Sequence, residues 1–169
     1  TPSVTASNSG SLTCTTTTSQ ISATTTMTPV SYNWSGPGAI SGGTSNTTGT
    51  VTVGGTYQCV VTNTLTGCAS TITTFVPTNT TAVAASIAPT TTITCSTTSL
   101  VLNASPNSSH TFSWTPASFL SSAFVLNPIA NPPTTTVYSI KAMDKLSYCF
   151  NTDSVKITVV NKLDIPNAF

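Results

Sequence analysis

Apolar and polar residues alternate with a period of two along most of this chain. In Gly54-Gly55-Thr56-Tyr57-Gln58-Cys59-Val60-Val61-Thr62-Asn63, one face carries Tyr57, Cys59 and Val61 and the other Thr56, Gln58, Val60 and Thr62. That pattern, entered through a double glycine, predicts a half-buried strand. The same alternation appears in Val30-Tyr32-Trp34, Val51-Val53, Phe112-Trp114 and Val155-Ile157-Val159. Turn signals at Gly36-Pro37-Gly38, Gly42-Gly43 and Asn131-Pro132-Pro133 separate these runs. No window places apolar residues at i, i+3, i+4 and i+7 between helix caps. The pattern predicts an all-β protein, with residues 1–13 as a first edge strand.

The pattern also repeats. Tyr57 precedes Cys68 by 11 positions, and Tyr138 precedes Cys149 by 11. Cys14 stands 54 positions before Cys68, and Cys95 stands 54 before Cys149. A tryptophan, Trp34 or Trp114, follows each first cysteine by 20 or 19 positions. Two diverged copies of one unit therefore fill the chain, read as residues 1–78 and 79–162, with 163–169 as a separate tail. The stretch Pro77-Thr78-Asn79-Thr80-Thr81 reads as a short linker across the boundary. Units of this size, rich in short strands and with a tryptophan on the third, predict two tandem immunoglobulin-like β-sandwiches. The copies differ most across 117–131, where Phe119, Leu120, Phe124, Val125 and Leu126 replace a Gly-rich loop. This segment is either a flap over its own core or a contact surface for a partner.

Equal spacing suggests that Cys14 pairs with Cys68 and Cys95 with Cys149. A Cys14–Cys59 bridge is disfavoured because Ile140 occupies the position of Cys59 in the second copy, which makes Cys59 a buried free thiol. Each bridge would close a loop of about 54 residues and stabilise by roughly 4 kcal/mol in the chain-entropy account. Disulfides place the chain in an oxidising, extracytoplasmic setting.

Charge narrows the function. The chain has four Lys, three Asp, no Arg and no Glu, all seven charges falling between Lys141 and Asp164. Threonine supplies nearly a quarter of the residues, so hydroxyls and amides must wet the surface. Nucleic-acid binding lacks its basic stripe. Calcium lacks clustered carboxylates, and zinc lacks both a C-x-x-C and a second histidine. No membrane span or signal peptide is evident. His110, set in Asn107-Ser108-Ser109-His110, reads as an exposed turn with no acid nearby in sequence, so no catalytic group, cofactor or metal is expected. N-x-[ST] sequons occur at Asn33, Asn46, Asn79, Asn103 and Asn107.

The runs Leu12-Thr13-Cys14, Trp34-Ser35-Gly36-Pro37-Gly38, Gly54-Gly55-Thr56-Tyr57 and Thr66-Gly67-Cys68-Ala69 resemble the immunoglobulin-like repeats of large Bacteroidota surface adhesins, including gliding-motility adhesins. The end, Leu163-Asp164-Ile165-Pro166-Asn167-Ala168-Phe169, resembles the opening of a type B C-terminal sorting domain. The resemblance implies export by type IX secretion and display at the cell surface. Asp153-Ser154-Val155 is similar to the O-glycosylation signal of that group, making Ser154 a candidate site. The expected function is a non-enzymatic structural or adhesive module of a stalk, fibre or self-associating filament, a homo-oligomer with a surface partner or glycan within reach. The alternatives are a spacer joining a secreted enzyme to its sorting domain, and a glycan-binding module using Tyr148 and Phe150.

Overall fold

Alternating residues form strands wherever one face can be buried, and the computed structural model describes these over residues 3–43, 45, 47–88, 92–105 and 110–160. The chain divides into two units, Thr1–Thr80 and Thr81–Phe169. Thr78-Asn79, expected within the linker, instead forms a short strand of the first unit.

In unit 1, β1 (Val4–Asn8), β2 (Leu12–Thr13), β3 (Ser19–Thr25), β4 (Val30–Ser35), β5 (Ile40–Ser41), β6 (Thr48–Val51), β7 (Gly55–Asn63), β8 (Ala69–Val76) and β9 (Thr78–Asn79) follow in order. One sheet runs β1-β3-β6-β5 and the other β4-β7-β8, while β2 pairs in parallel with β9. This is the four-plus-three layering of an immunoglobulin constant-type sandwich. Trp34, Tyr57, Cys59 and Val61 from one sheet meet Ile21, Ala23 and Val51 from the other in a single buried cluster. The edge strand β1 is tied across to the second sheet, because Asn8 Nδ2 donates to Thr74 Oγ1 and to the Phe75 carbonyl, both at 2.9 Å.

Unit 2 rebuilds the plan with a thinner first sheet. It comprises β10 (Thr92–Ile93), β11 (Leu100–Val101), β12 (His110–Thr115), β13 (Ile129–Ala130), β14 (Thr136–Asp144) and β15 (Phe150–Val159). The full sheet runs β10-β15-β14-β12. The opposite sheet is the β11–β13 ladder, extended by single bridges Ile87–Ala104 and Leu120–Ala130. Registers confirm the alignment of the copies: Trp34 lies opposite Cys59, and Trp114 opposite Ile140. Cys59 is thus an ordinary core residue of β7, a fully buried thiol whose pKa burial pushes up.

Candidate functional site

Each repeat carries one cysteine at each end, and the ends are built alike in both. Cys14 follows β2 in a turn where Thr13 Oγ1 accepts the Thr15 and Thr16 amides. Cys95 follows β10 in the same turn, where Thr94 Oγ1 accepts the Ser96 and Thr97 amides. At the other end, Cys68 closes the β7–β8 turn, whose Asn63 Oδ1 accepts the Leu65 and Thr66 amides. Cys149 closes the β14–β15 turn, whose Asp144 Oδ1 accepts the Leu146 and Ser147 amides. Even the left-handed residue recurs, as Gly67 (φ 70) and Tyr148 (φ 57).

This placement corrects the expected disulfides. Cys68 and Cys95 are free, exposed thiols, whereas Cys14 and Cys149 are disulfide-bonded. The reason is distance. Cys68 enters β8, and Cys14 Sγ lies 3.8 Å from the Thr80 carbonyl, beyond the far end of that strand. The eight residues of β8 span about 26 Å at roughly 3.3 Å per residue. Cys149 precedes the ten-residue β15, whose far end pairs with β10 just before Cys95, a separation of about 33 Å. A disulfide needs Cα atoms within about 7 Å. Neither Cys14–Cys68 nor Cys95–Cys149 can form, and the shared spacing of 54 reports the repeat rather than a bond.

The apolar segment of unit 2 divides into anchors and exposed residues. Leu120 and Leu126 pack against the core of their own unit, and the Trp114 indole N–H donates to the Val125 carbonyl at 2.9 Å. Tyr138 Oη donates to the Ser118 carbonyl at 2.9 Å. Phe119, Phe124 and Val125 remain 56%, 77% and 43% exposed. Phe119, at φ 62 in the left-handed region, lines an open hollow with Leu120, Ser121, Ile129 and Asn131. The segment is therefore a flap over its own core that presents an apolar outer surface.

His110 is not in an exposed turn. It opens β12 directly opposite Asp144, with Nε2 3.9 Å from Asp144 Oδ2. The order of groups does not make a hydrolytic triad, because the buried Ser147 hydroxyl donates to Asp144 Oδ1 at 2.9 Å, not to the histidine. The Ser147 amide, the Ser147 hydroxyl, the Leu146 amide and, last, the neighbouring His110 lower the Asp144 pKa against a small opposing effect of desolvation. A depressed carboxylate adds stability that is complete above its unfolded pKa and disappears as pH falls through the folded one. Unit 2 is therefore expected to lose denaturant resistance in strong acid. Asp144→Asn should reduce that loss while keeping the turn, since Asn63 performs the same capping in unit 1. Chemical denaturation at neutral and strongly acidic pH checks this, and an unchanged acid loss in the variant would count against it.

Ser154 is exposed on β15. The adjacent Asp153 is occupied structurally, its Oδ2 accepting the Ile87 amide at 2.8 Å and its Oδ1 the Ser154 amide at 2.8 Å. Among the sequons, Asn33, Asn79 and Asn103 are exposed, while Asn46 and Asn107 lie outside the described residues, as do Lys162, Asp164 and the whole 163–169 tail. The Phe150 ring is covered by Lys141, whose Nζ sits 4.1 Å from its centroid, which takes up one face of an aromatic that the glycan-binding alternative would use. Among the described residues no group of three or more His, Cys, Asp or Glu could hold a metal ion, and no helix is long and apolar enough to cross a membrane.

No protein-family model matches the chain, and no curated protein sequence matches it. Among solved structures, it is similar to the three N-terminal domains of the highly immunogenic outer capsid protein (Hoc) of bacteriophage RB49, at 17% identity and a TM-score of 0.50, covering 94% of this chain and 59% of that one. It is also similar to the I-band fragment I67–I69 of titin, at 13% identity and a TM-score of 0.49, covering 85% and 59%. The chain thus spans about three-fifths of the length of these structures. Architecture and topology make both units immunoglobulin-like β-sandwiches.

Proposed function

We propose that the chain is a structural and adhesive module of a secreted cell-surface protein, acting through surface and rigidity rather than chemistry. In the sequence-based reading it is exported by type IX secretion and contributes to a stalk, fibre or self-associating filament. The observation that carries the self-associating reading is the apolar outer face of the flap, Phe119, Phe124 and Val125, in a chain with no Lys, Arg, Asp or Glu before Lys141. Such a surface approaches a second copy without repulsion and without stripping water from ions.

Sedimentation velocity over a wide concentration range tests this. Association should be nearly indifferent to salt, because few charges take part. Phe124→Asp should weaken it by about tenfold or more, since burying an unpaired carboxylate is costly. Leu126, an anchor of the flap on its own core, is unsuitable as a probe because its loss would disturb the fold. A chain that stays monomeric at high concentration, or an assembly readily dissolved by salt, would sink the reading in favour of a spacer between other domains.

A further inference from the structure

The two free, exposed cysteines stand at different turns of the two repeats, each turn shared by a counterpart in the other repeat, although Cys149, the counterpart of Cys68, is itself buried. Cys68 closes the turn type in which Cys149 is disulfide-bonded, and Cys95 follows the turn type in which Cys14 is disulfide-bonded. Both kinds of position are therefore bonding positions, while bonds between the two ends of one repeat are excluded by about 26–33 Å of strand.

The surroundings of the free thiols are complementary. Beside Cys68, Leu65 projects from the turn and is 80% exposed, although the turn itself is fixed by Asn63. Beside Cys95, an open hollow is lined by Ile93, Phe119, Pro132, Pro133 and Val159. Unit 1 has a similar hollow beside its own first-end turn, formed by residues that include Leu12, Thr13, Thr17 and Thr78. Unit 1 thus offers an exposed leucine next to a thiol, and unit 2 offers an apolar hollow next to a thiol.

We propose that Cys68 of one copy of this chain forms a disulfide with Cys95 of the next, with Leu65 seated in the hollow beside Cys95, so that copies are joined head to tail by covalent bonds. The bond forms by thiol–disulfide exchange with a low-molecular-weight disulfide. A Cys68 thiolate attacks one sulfur of the reagent and releases one thiol. The Cys95 thiolate then attacks the mixed disulfide at Cys68 Sγ and releases the second thiol. Two protein thiols are oxidised to one S–S bond, and the reagent is reduced to two thiols. A contact between two different surfaces leaves an unused Cys68 at one end of the product and an unused Cys95 at the other, so the product grows as a series wherever the rotation between copies does not close a ring. The proposal rests on the premise that copies of the module associate, but of the flap's outer face it uses only Phe119, which lines the hollow, and neither Phe124 nor Val125.

The test uses the purified chain in a buffer of oxidised and reduced glutathione, resolved on a non-reducing gel. A ladder of linear oligomers is expected, with peptide mapping yielding a Cys68–Cys95 cross-link. Cys68→Ser and Cys95→Ser, each keeping one exposed thiol, should dimerise only slowly alone and go no further, and an equimolar mixture of the two should give dimers at least about tenfold faster than either by itself. Leu65→Asp, a change on an exposed side chain, should slow the wild-type ladder several-fold. Wild-type chains that stay monomeric, or single variants that dimerise as fast as their mixture, would overturn the directed joint. An unslowed Leu65→Asp ladder would overturn the seating of Leu65. Laddering by Phe124→Asp at the wild-type rate supports the joint even where sedimentation has refuted association through the flap. Sedimenting oligomers without the cross-link refute the joint alone.

Discussion

Trp114→Ala is expected to destabilise unit 2 by roughly 3–5 kcal/mol, the usual cost of removing a large aromatic side chain from a core. Trp114 is 3% exposed and sits opposite Ile140 at the centre of its sandwich. It also holds the flap twice, its indole N–H donating to the Val125 carbonyl and its backbone N–H to the Ala123 carbonyl at 2.8 Å. The two roles separate with Trp114→Phe, which keeps most of the apolar volume and the backbone bond but leaves the Val125 carbonyl without the indole. That hydrogen bond contributes about 1 kcal/mol net. Denaturant midpoints should therefore fall much less for Trp114→Phe than for Trp114→Ala. Limited proteolysis within 119–126 should nevertheless accelerate in Trp114→Phe, because local opening depends on the flap's own contacts rather than on global stability. Wild-type protection of the flap in Trp114→Phe would show that Leu120, Leu126 and the backbone bond to Ala123 hold it without the indole. Trp34→Ala gives the parallel loss in unit 1, where the corresponding loop carries no apolar flap.

Period and repetition control what is legible in the sequence. The alternation Tyr57-Cys59-Val61 marks a buried face because side chains of a strand alternate, and Ile140 identifies Cys59 as a core position because the registers of the two copies agree. Spacing misleads about the disulfide pairing because equal spacing follows from duplication whichever cysteines bond. Residues must first be converted into length, which puts Cys68 and Cys14 at opposite ends of β8. His110 reads as solitary in the sequence because its nearest acid, Asp144, is brought to it only by the β12–β14 register. The flap is recognisable as apolar, but irregular chain has no period. Nothing in its order distinguishes Leu120 and Leu126, which face inward, from Phe119 and Phe124, which do not.

Gly36→Ala should be among the most damaging single-methyl changes in unit 1, and its cause can be isolated. A Cβ at Gly36 would lie 2.2 Å from Tyr57 Cδ1 and 2.5 Å from Cε1. The Tyr57 ring cannot readily move aside, since it is fully buried and its hydroxyl donates to the Val53 carbonyl at 2.8 Å. The same neighbourhood is closed elsewhere, because a Cβ at Gly38 would meet Val53 at 2.8 Å and one at Gly55, at φ +136, would meet Pro37 at 2.9 Å. The two motifs thus meet at more than one point, with Gly36 laid against the Tyr57 ring and Gly55 against Pro37, while Gly54 faces Thr78. Overpacking a tight site costs typically about 1–3 kcal/mol, and with so little room the expected loss is about 3 kcal/mol. At about 4–8 °C per kcal/mol for a domain of this size, the unit 1 transition should fall by roughly 12–24 °C. Gly10→Ala provides the contrast, since that glycine has φ +125 but nothing within 4 Å of the position an added Cβ would take, so backbone strain acts there without a clash. A double-mutant cycle with Tyr57→Val decides the mechanism. If the ring is the obstacle, most of the Gly36→Ala penalty disappears when Tyr57 is already valine. If the penalty persists undiminished, the backbone at Gly36 rather than the ring sets the cost, and the contact between the two motifs is not what fixes their sequences.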